Sequence, residues 1–221
     1  MDAFQPSPAG VARNYCGRCG LARLCLCAEM PIVATTCDFL VVRHVREIHK
    51  PSNTARLAAA ALPRCQVFDY GVRDRPFDDG PLRVDAWLLF PHERDGHGAE
   101  TGRHRTVTRD DVPHPRAFVV LDGTWGQARR MSHRIPALDT MPRFVLPAPA
   151  VTPLRLRQGP VPEALATIEA IARVVEIFDG PVPARVLDSL HLEFVRRSRV
   201  ERGQRGLPAR RESSEGVTGH P

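Results

Sequence analysis

A chain of 221 residues is long enough for one sizeable core with a small appendage and too short for two full domains. Its apolar share of 43% and charged share of 25% are ordinary for a globular protein, and it holds no apolar run of the length that spans a bilayer, which excludes a membrane-spanning helix. A formal charge of +6 points to a polyanionic partner such as nucleic acid.

The N-terminal stretch MDAFQPSPAGVARNY lacks the apolar segment of a secretory signal, so a cytoplasmic, reducing setting is expected, with residues 1–13 flexible. CGRCGLARLCLC follows and places Cys16, Cys19, Cys25 and Cys27 in the spacing C-x2-C-x5-C-x-C. Clustered thiols in a reducing compartment favour a metal over disulfides. Cys16-Gly17-Arg18-Cys19 has the form of a zinc knuckle, in which glycine lets the backbone curl so that two thiolates reach one ion. The second pair is tighter than usual, and a redox-sensitive cluster is the competing reading. A tetrathiolate zinc site is structural, with no open position for catalysis. Residues 14–31 are expected to form this module. Cys37 and Cys65, each at the edge of a strand, read as small buried apolar residues.

From residue 32 the chain alternates. Residues 35–44, TTCDFLVVRH, are a β-branched apolar run typical of a buried strand. Residues 52–62 are a helix capped by Ser52 or Asn53 and stopped by Pro63. Strands are predicted over 65–71 and 85–90, followed by a long polar loop or lid, PHERDGHGAETGRHRTVTRDDVPHP. RAFVVLD is a central strand, 124–133 the helix after it, and 142–147 another strand. The helix over 161–178 sets Leu165, Ile168, Ile171, Ala172 and Val175 on one face, with Pro162 in its first turn. An amphipathic helix spans 183–197, and the polar, basic stretch 199–221 reads as a disordered tail. Strands alternating with helices over 32–198 imply an α/β fold with a mostly parallel sheet.

Ligands in such sheets bind at the carboxyl ends of the strands. Those ends carry His44 and Glu47, residues 91–93, Asp122 to Trp125, and Arg155 with Arg157. Neither a dinucleotide-binding glycine fingerprint nor a Walker A motif is present, which argues against an ordinary dinucleotide fold or a phosphate-loop NTPase.

The cysteine cluster, HVREIHKPSNTARL, LLFPHE, LDGTWGQARRM, PRFVLP and LATIEAIA together resemble, in order, the motifs of the DTW-domain proteins, whose Asp-Thr-Trp signature corresponds here to Asp122, Thr124 and Trp125. The chain departs from that pattern at Val45, where proline is usual, at Ala55, where glycine is common, and at Ala166, where serine is frequent. The resemblance implies a SPOUT-like fold with a knotted cofactor site in the C-terminal half. It also implies transfer of the 3-amino-3-carboxypropyl group of S-adenosylmethionine to N3 of a tRNA uridine.

On that reading Asp122 is the base that takes the N3 proton. Leu89, Phe90, Pro91, Leu121, Gly123, Leu146 and Pro147 cradle the adenosine, Arg155 or Arg157 clamps the cofactor carboxylate, and Thr167 with Glu169 closes the site. His44, Glu47, Asn53, Thr54 and Thr124 stand on the substrate side. Trp125 either stacks on an extruded base or anchors the turn in the core. Arg129, Arg130 and Arg134 meet phosphates or form a solvated face. The structural zinc would sit in an RNA-positioning or stabilising element. Two rival functions share these residues: a SPOUT-like RNA methyltransferase, and a non-catalytic zinc-containing RNA-binding protein.

Overall fold

The computed structural model describes residues 15–91, 104–147, 156 and 165–204. Its elements in chain order are β1 (Asp38–His44), α1 (Ala55–Ala61), β2 (Cys65–Tyr70), β3 (Ala86–Leu89), β4 (Thr106–Val107), β5 (Ala117–Asp122), α2 (Trp125–Arg134), β6 (Arg143–Phe144), α3 (Thr167–Asp179) and α4 (Pro181–Glu201). The six strands form one sheet in the order β2-β1-β5-β3-β6-β4, and every ladder is parallel. The expected α/β architecture is therefore present.

A parallel sheet covered on both faces needs strands that are apolar on both sides. β5 meets that need: Phe118 and Val120 enter the core shared with α1, α3 and α4, while Ala117 and Val119 enter a second core with α2. Successive side chains alternate between faces. The alternation that sends Phe118 and Val120 towards α1 and α3 sends Asp122 there too. Arg43 is the register partner of Asp122, so β1 and β5 end side by side at the carboxyl edge.

Several boundaries differ from the sequence reading. β6 keeps only two residues of the strand expected over 142–147. The N-cap of α1 is Thr54, not Ser52 or Asn53. α3 begins at Thr167, so Leu165 precedes the helix, and Pro162 lies outside the described residues; Ile168, Ile171, Ala172 and Val175 are buried along one stripe as the periodicity predicts. Gly180, at φ +91°, turns the chain directly from α3 into α4, where Pro181 takes the first helical position. α4 runs on to Glu201, so residues 199–201 belong to the helix and not to the tail.

The cysteine module is part of the main core. Cys19, Leu21 and Leu26 are buried in the cluster that contains α1, α3 and α4. The carboxylate of Glu201 accepts the backbone N–H groups of Ala22, Arg23 and Leu24 at 3.0, 2.6 and 2.7 Å. Arg197 donates to the Cys25 carbonyl at 3.0 Å and pairs with Glu29 at 2.7 Å. Among the described residues no helix is long and apolar enough to cross a membrane. Most of the chain between β6 and α3, part of the C-terminal half for which a knot is implied, lies outside the described residues, as does most of the polar segment after β3.

Candidate active site

Asp122 ends β5, and its side chain is only 5% exposed. A carboxylate at that depth needs donors. Among the described residues it has two: Asn53, just before α1, donates its amide N–H to Oδ2, and Thr167, the first residue of α3, donates its hydroxyl to Oδ1 at 2.5 Å. Burial is the largest influence on its acidity and raises the pKa above 3.8; the donors and Arg43 pull the other way, and Glu47 adds to the rise. The result is a carboxylate that is desolvated, oriented, and more basic than an exposed one.

The starts of α1 and α3 are fastened together beside it. Ala166, at the N-cap of α3, has no hydroxyl to offer, and the N–H of Ile168 finds the Thr54 hydroxyl at 3.4 Å instead. Glu169 closes the other half of that cap on the N–H of Ala166 at 2.9 Å, and its second oxygen lies 3.5 Å from Nδ1 of the buried His191. Asn53, Thr54 and Thr167 are thus all buried or half-buried supports of the Asp122 corner.

After Asp122 the chain turns into α2. The N–H of Gln127 donates to the Thr124 hydroxyl and the N–H of Thr124 to the Gln127 side chain, a capping box. A Cβ on Gly123 would stand 3.0 Å from Gln127 Cβ, so glycine is what allows this close approach. Thr124→Ala removes half of the box; it is expected to cost about 1 kcal/mol and lower Tm by roughly 2–4 °C, measured by thermal denaturation.

Trp125 is 45% exposed, and its ring lies on Phe90 at 5.6 Å between centroids with 16° between planes. The guanidinium of buried Arg143 lies 5.5 Å from the same Phe90 ring. Phe90 thus touches both the buried Arg143 and the surface indole of Trp125, and it covers one face of that indole. Phe90, expected in the adenosine cradle, also brings its ring against Trp125, and Arg143 was not anticipated, its only signal being a cation inside an otherwise apolar strand.

The other expected residues fall around this corner. His44 accepts the N–H of Arg46 on Nδ1 at 3.2 Å, and burial, then Arg46, lowers its pKa below 6.5. Glu47 is 2% exposed and pairs with Lys50. Arg129 and Arg130 are exposed on α2, and Arg130 is near enough to act on His44. Leu89 ends β3 and Phe90 with Pro91 follows it, Leu121 and Gly123 flank the end of β5, and Leu146 with Pro147 follows β6; these three strands are neighbours in the sheet, so the segments share one edge. Arg155 and Arg157 lie outside the described residues, as do His92 and Glu93.

The four thiols of Cys16, Cys19, Cys25 and Cys27 lie within 4.8 Å of one another, with Cys16 to Cys27 at 3.5 Å and Cys19 to Cys25 at 3.7 Å. A tetrahedral ion with bonds of about 2.3 Å needs sulfur–sulfur edges of about 3.8 Å, so the cluster fits a tetrathiolate metal. Burial opposes ionisation of Cys16, yet the N–H groups of Cys19 and Arg18 and the adjacent thiols hold it at about 6. Burial pushes Cys19 and Cys27 up. Outside the cluster, Cys37 is buried, and burial pushes the half-buried Cys65 up to about 12, as befits small apolar residues.

Comparison with known proteins matches residues 13–198 to the DTW domain. Proteins named tRNA-uridine aminocarboxypropyltransferase 2 are similar: that of Mus musculus is 27% identical over 76% of this chain and 57% of its own length, and that of Macaca fascicularis is 25% identical over the same shares. A third, from Drosophila melanogaster, is 26% identical over 76% of this chain and 68% of its own. The chain thus spans a little over half the length of the two mammalian relatives. The solved structure of the SAM-dependent rRNA:acp-transferase Tsr3 from Vulcanisaeta distributa aligns with 76% of this chain and 84% of that one, at 14% identity and a TM-score of 0.39. With the Asp-Gly-Thr-Trp turn at the carboxyl edge of a parallel sheet and the family match running from before the cysteine cluster into α4, this chain belongs to the DTW-domain family.

Proposed function

We propose that this protein transfers the 3-amino-3-carboxypropyl group of S-adenosylmethionine to N3 of a tRNA uridine, with Asp122 as the base. The observation that carries the reading is the state of Asp122: a buried carboxylate of raised pKa, held by Asn53 and Thr167 at a strand end beside an exposed indole. The names of the similar proteins supply the reaction class.

The N3 proton of the imide passes to a carboxylate oxygen of Asp122, and N3 forms its bond to Cγ of the aminocarboxypropyl arm. S-adenosylmethionine supplies the electrophile: the Cγ–sulfur bond breaks, the electron pair stays on sulfur, and methylthioadenosine leaves. A base works best when its pKa approaches the operating pH, and burial moves Asp122 in that direction. The two donors fix the carboxylate so that it need not reorganise. The backbone after β3, β5 and β6 forms the cofactor cradle, with the SPOUT-like knot that the resemblance implies, and an arginine of the 148–164 stretch, Arg155 or Arg157, holds the cofactor carboxylate. Cys16, Cys19, Cys25 and Cys27 would each give one thiolate to a structural zinc, which would stabilise the module and supply no catalytic position.

Trp125 is the stacking platform for the extruded uracil, its inner face backed by Phe90. Base–aromatic stacking contributes about 1–3 kcal/mol. Trp125→Ala is therefore expected to weaken tRNA binding by roughly 5- to 150-fold in filter-binding assays while leaving the melting temperature nearly unchanged, since the side chain is half in solvent. Arg129 and Arg130, exposed on α2, meet the phosphates.

The test is to incubate the protein with unmodified tRNA and S-adenosylmethionine and weigh the nucleosides after digestion. A uridine carrying an aminocarboxypropyl group, with methylthioadenosine released, supports the reading. A methylated nucleoside with S-adenosylhomocysteine replaces it with the methyltransferase alternative. Tight tRNA binding with no product on any pool leaves the RNA-binding alternative.

A further inference from the structure

We propose that Arg56 is a positioning residue that carries the order of the cysteine module to the hydrogen-bond frame of Asp122. The catalytic consequence rests on the function proposed above; the structural coupling does not.

The module grips α1 at both ends. Arg18, between the first two cysteines, donates to the Ala60 carbonyl at 3.3 Å near the end of the helix. At the other end the backbone of Gly20, next to Cys19, lies against Arg56: a Cβ there would meet Arg56 Nη1 at 3.1 Å and the Pro51 carbonyl at 3.2 Å. Gly20 has φ +79°, so glycine satisfies both the left-handed turn and the close approach. Half-buried Arg56 then ties two segments together. Its Nη2 donates to the carbonyls of Ile48 at 2.7 Å and Lys50 at 3.3 Å, which follow the end of β1. Its backbone N–H faces Asn53 Oδ1 at 3.4 Å, leaving the Asn53 amide nitrogen to donate to Asp122. Cys16, Cys19 and Asp122 all lie within electrostatic reach of the same guanidinium.

The physical consequence follows from the carboxamide. Asn53 serves Asp122 only while its oxygen is held by the first turn of α1, because only then does its N–H₂ point at the carboxylate. A module that loses its metal loosens Gly20, frees Arg56 to leave the two carbonyls, and lets that turn shift. Asp122 then loses a donor to its charged form, which raises its pKa. Both carbonyls accept from Nη2 while the Nη1 side of the same guanidinium faces Gly20; lysine keeps the charge but has a single nitrogen, which cannot hold the carbonyls and fill the place against Gly20 at once.

The experiment is a cycle on the full chain: wild type and Arg56→Lys, each zinc-loaded and after chelation, with the Asp122 carboxyl titrated by NMR of ¹³C-labelled aspartate. Chelation is expected to raise the Asp122 midpoint by about half a unit or more in wild type and by less than half of that shift in Arg56→Lys. Zinc-loaded Arg56→Lys should also show kcat lowered about tenfold, with KM for S-adenosylmethionine within about twofold. Equal shifts in both proteins, or no shift in wild type, overturn the proposal. Should Arg56→Lys fail to fold, Gly20→Ala displaces Arg56 without changing it. That variant is expected to raise the Asp122 midpoint at unchanged zinc content, and an unmoved midpoint overturns the proposal equally. A wild-type protein that shows the coupling and makes no aminocarboxypropyl product removes the proposed reaction and leaves the role of Arg56 standing.

Discussion

Asp122→Asn is expected to lower kcat by about 100- to 10,000-fold, the range supplied by a positioned general base, while tRNA affinity changes by less than about threefold. The amide keeps the shape and one acceptor oxygen but cannot take the N3 proton. The same substitution is expected to stabilise the fold, and the sign follows from linkage. The folded-state pKa of Asp122 lies above its unfolded value of about 3.8, so the unfolded chain ionises first as pH rises. Ionised Asp122 therefore costs stability over the window from that unfolded value up to the folded one, and the cost is constant above it. Urea denaturation of both proteins from pH 4 to pH 8 should show the gap in favour of Asp122→Asn opening through that window and then levelling. In wild type the acid limb of kcat should fall at a midpoint above the ordinary carboxylate range. Turnover within tenfold of wild type in the Asn variant would remove Asp122 from the role of base.

Removing the zinc proposed for the four-cysteine cluster is expected to weaken the whole chain in one transition, because the module is not a detached finger. Cys19, Leu21 and Leu26 share a core with α1, α3 and α4, and Glu201 and Arg197 at the end of α4 hold the module's backbone. Structural zinc contributes on the order of 10 kcal/mol in isolated peptides. A module already fastened at so many points keeps part of its order without the ion, so a loss of about 4 kcal/mol is a reasonable scale, equivalent to a fall in Tm of roughly 8–16 °C. Calorimetry before and after chelation, with metal content measured alongside, checks this. Cys19→Ser should reproduce the effect of chelation. Two separate transitions, with the main one unmoved, would show that the module folds independently of the sheet.

Local pattern was enough for much of this molecule. The β-branched run of β1 and the apolar stripe of α3 announced themselves by periodicity, and Asp122-Gly123-Thr124 by its place between an apolar strand and a helix. The cap that Thr124 and Gln127 form is just as local, since the two are only three residues apart. β6 was overestimated for a related reason: PRFVLP has strand composition, but the partner strands beside it are short, and only Arg143 and Phe144 find ladder partners.

The contacts that make a site were not legible. Asp122 is bonded to residues 69 and 45 positions away, and which helix starts meet it depends on how the crossovers return to the sheet. Thr167, expected on the cofactor side, gives its hydroxyl to Asp122, a contact no local pattern announced. Phe90 reaches Trp125 because β3 lies directly beside β5, an adjacency that chain order alone does not imply. Residue types and spacing pointed to a mostly parallel α/β sheet, a thiol cluster and a strand-end carboxylate, since those signals rest on neighbours within a few positions, and the ordered set of motifs carried the resemblance to the DTW family. Tertiary structure decided which donors reach that carboxylate, how deeply it is buried, and that the thiol cluster grips the same helix, since burial and long-range hydrogen bonds exist only once the strands are in order.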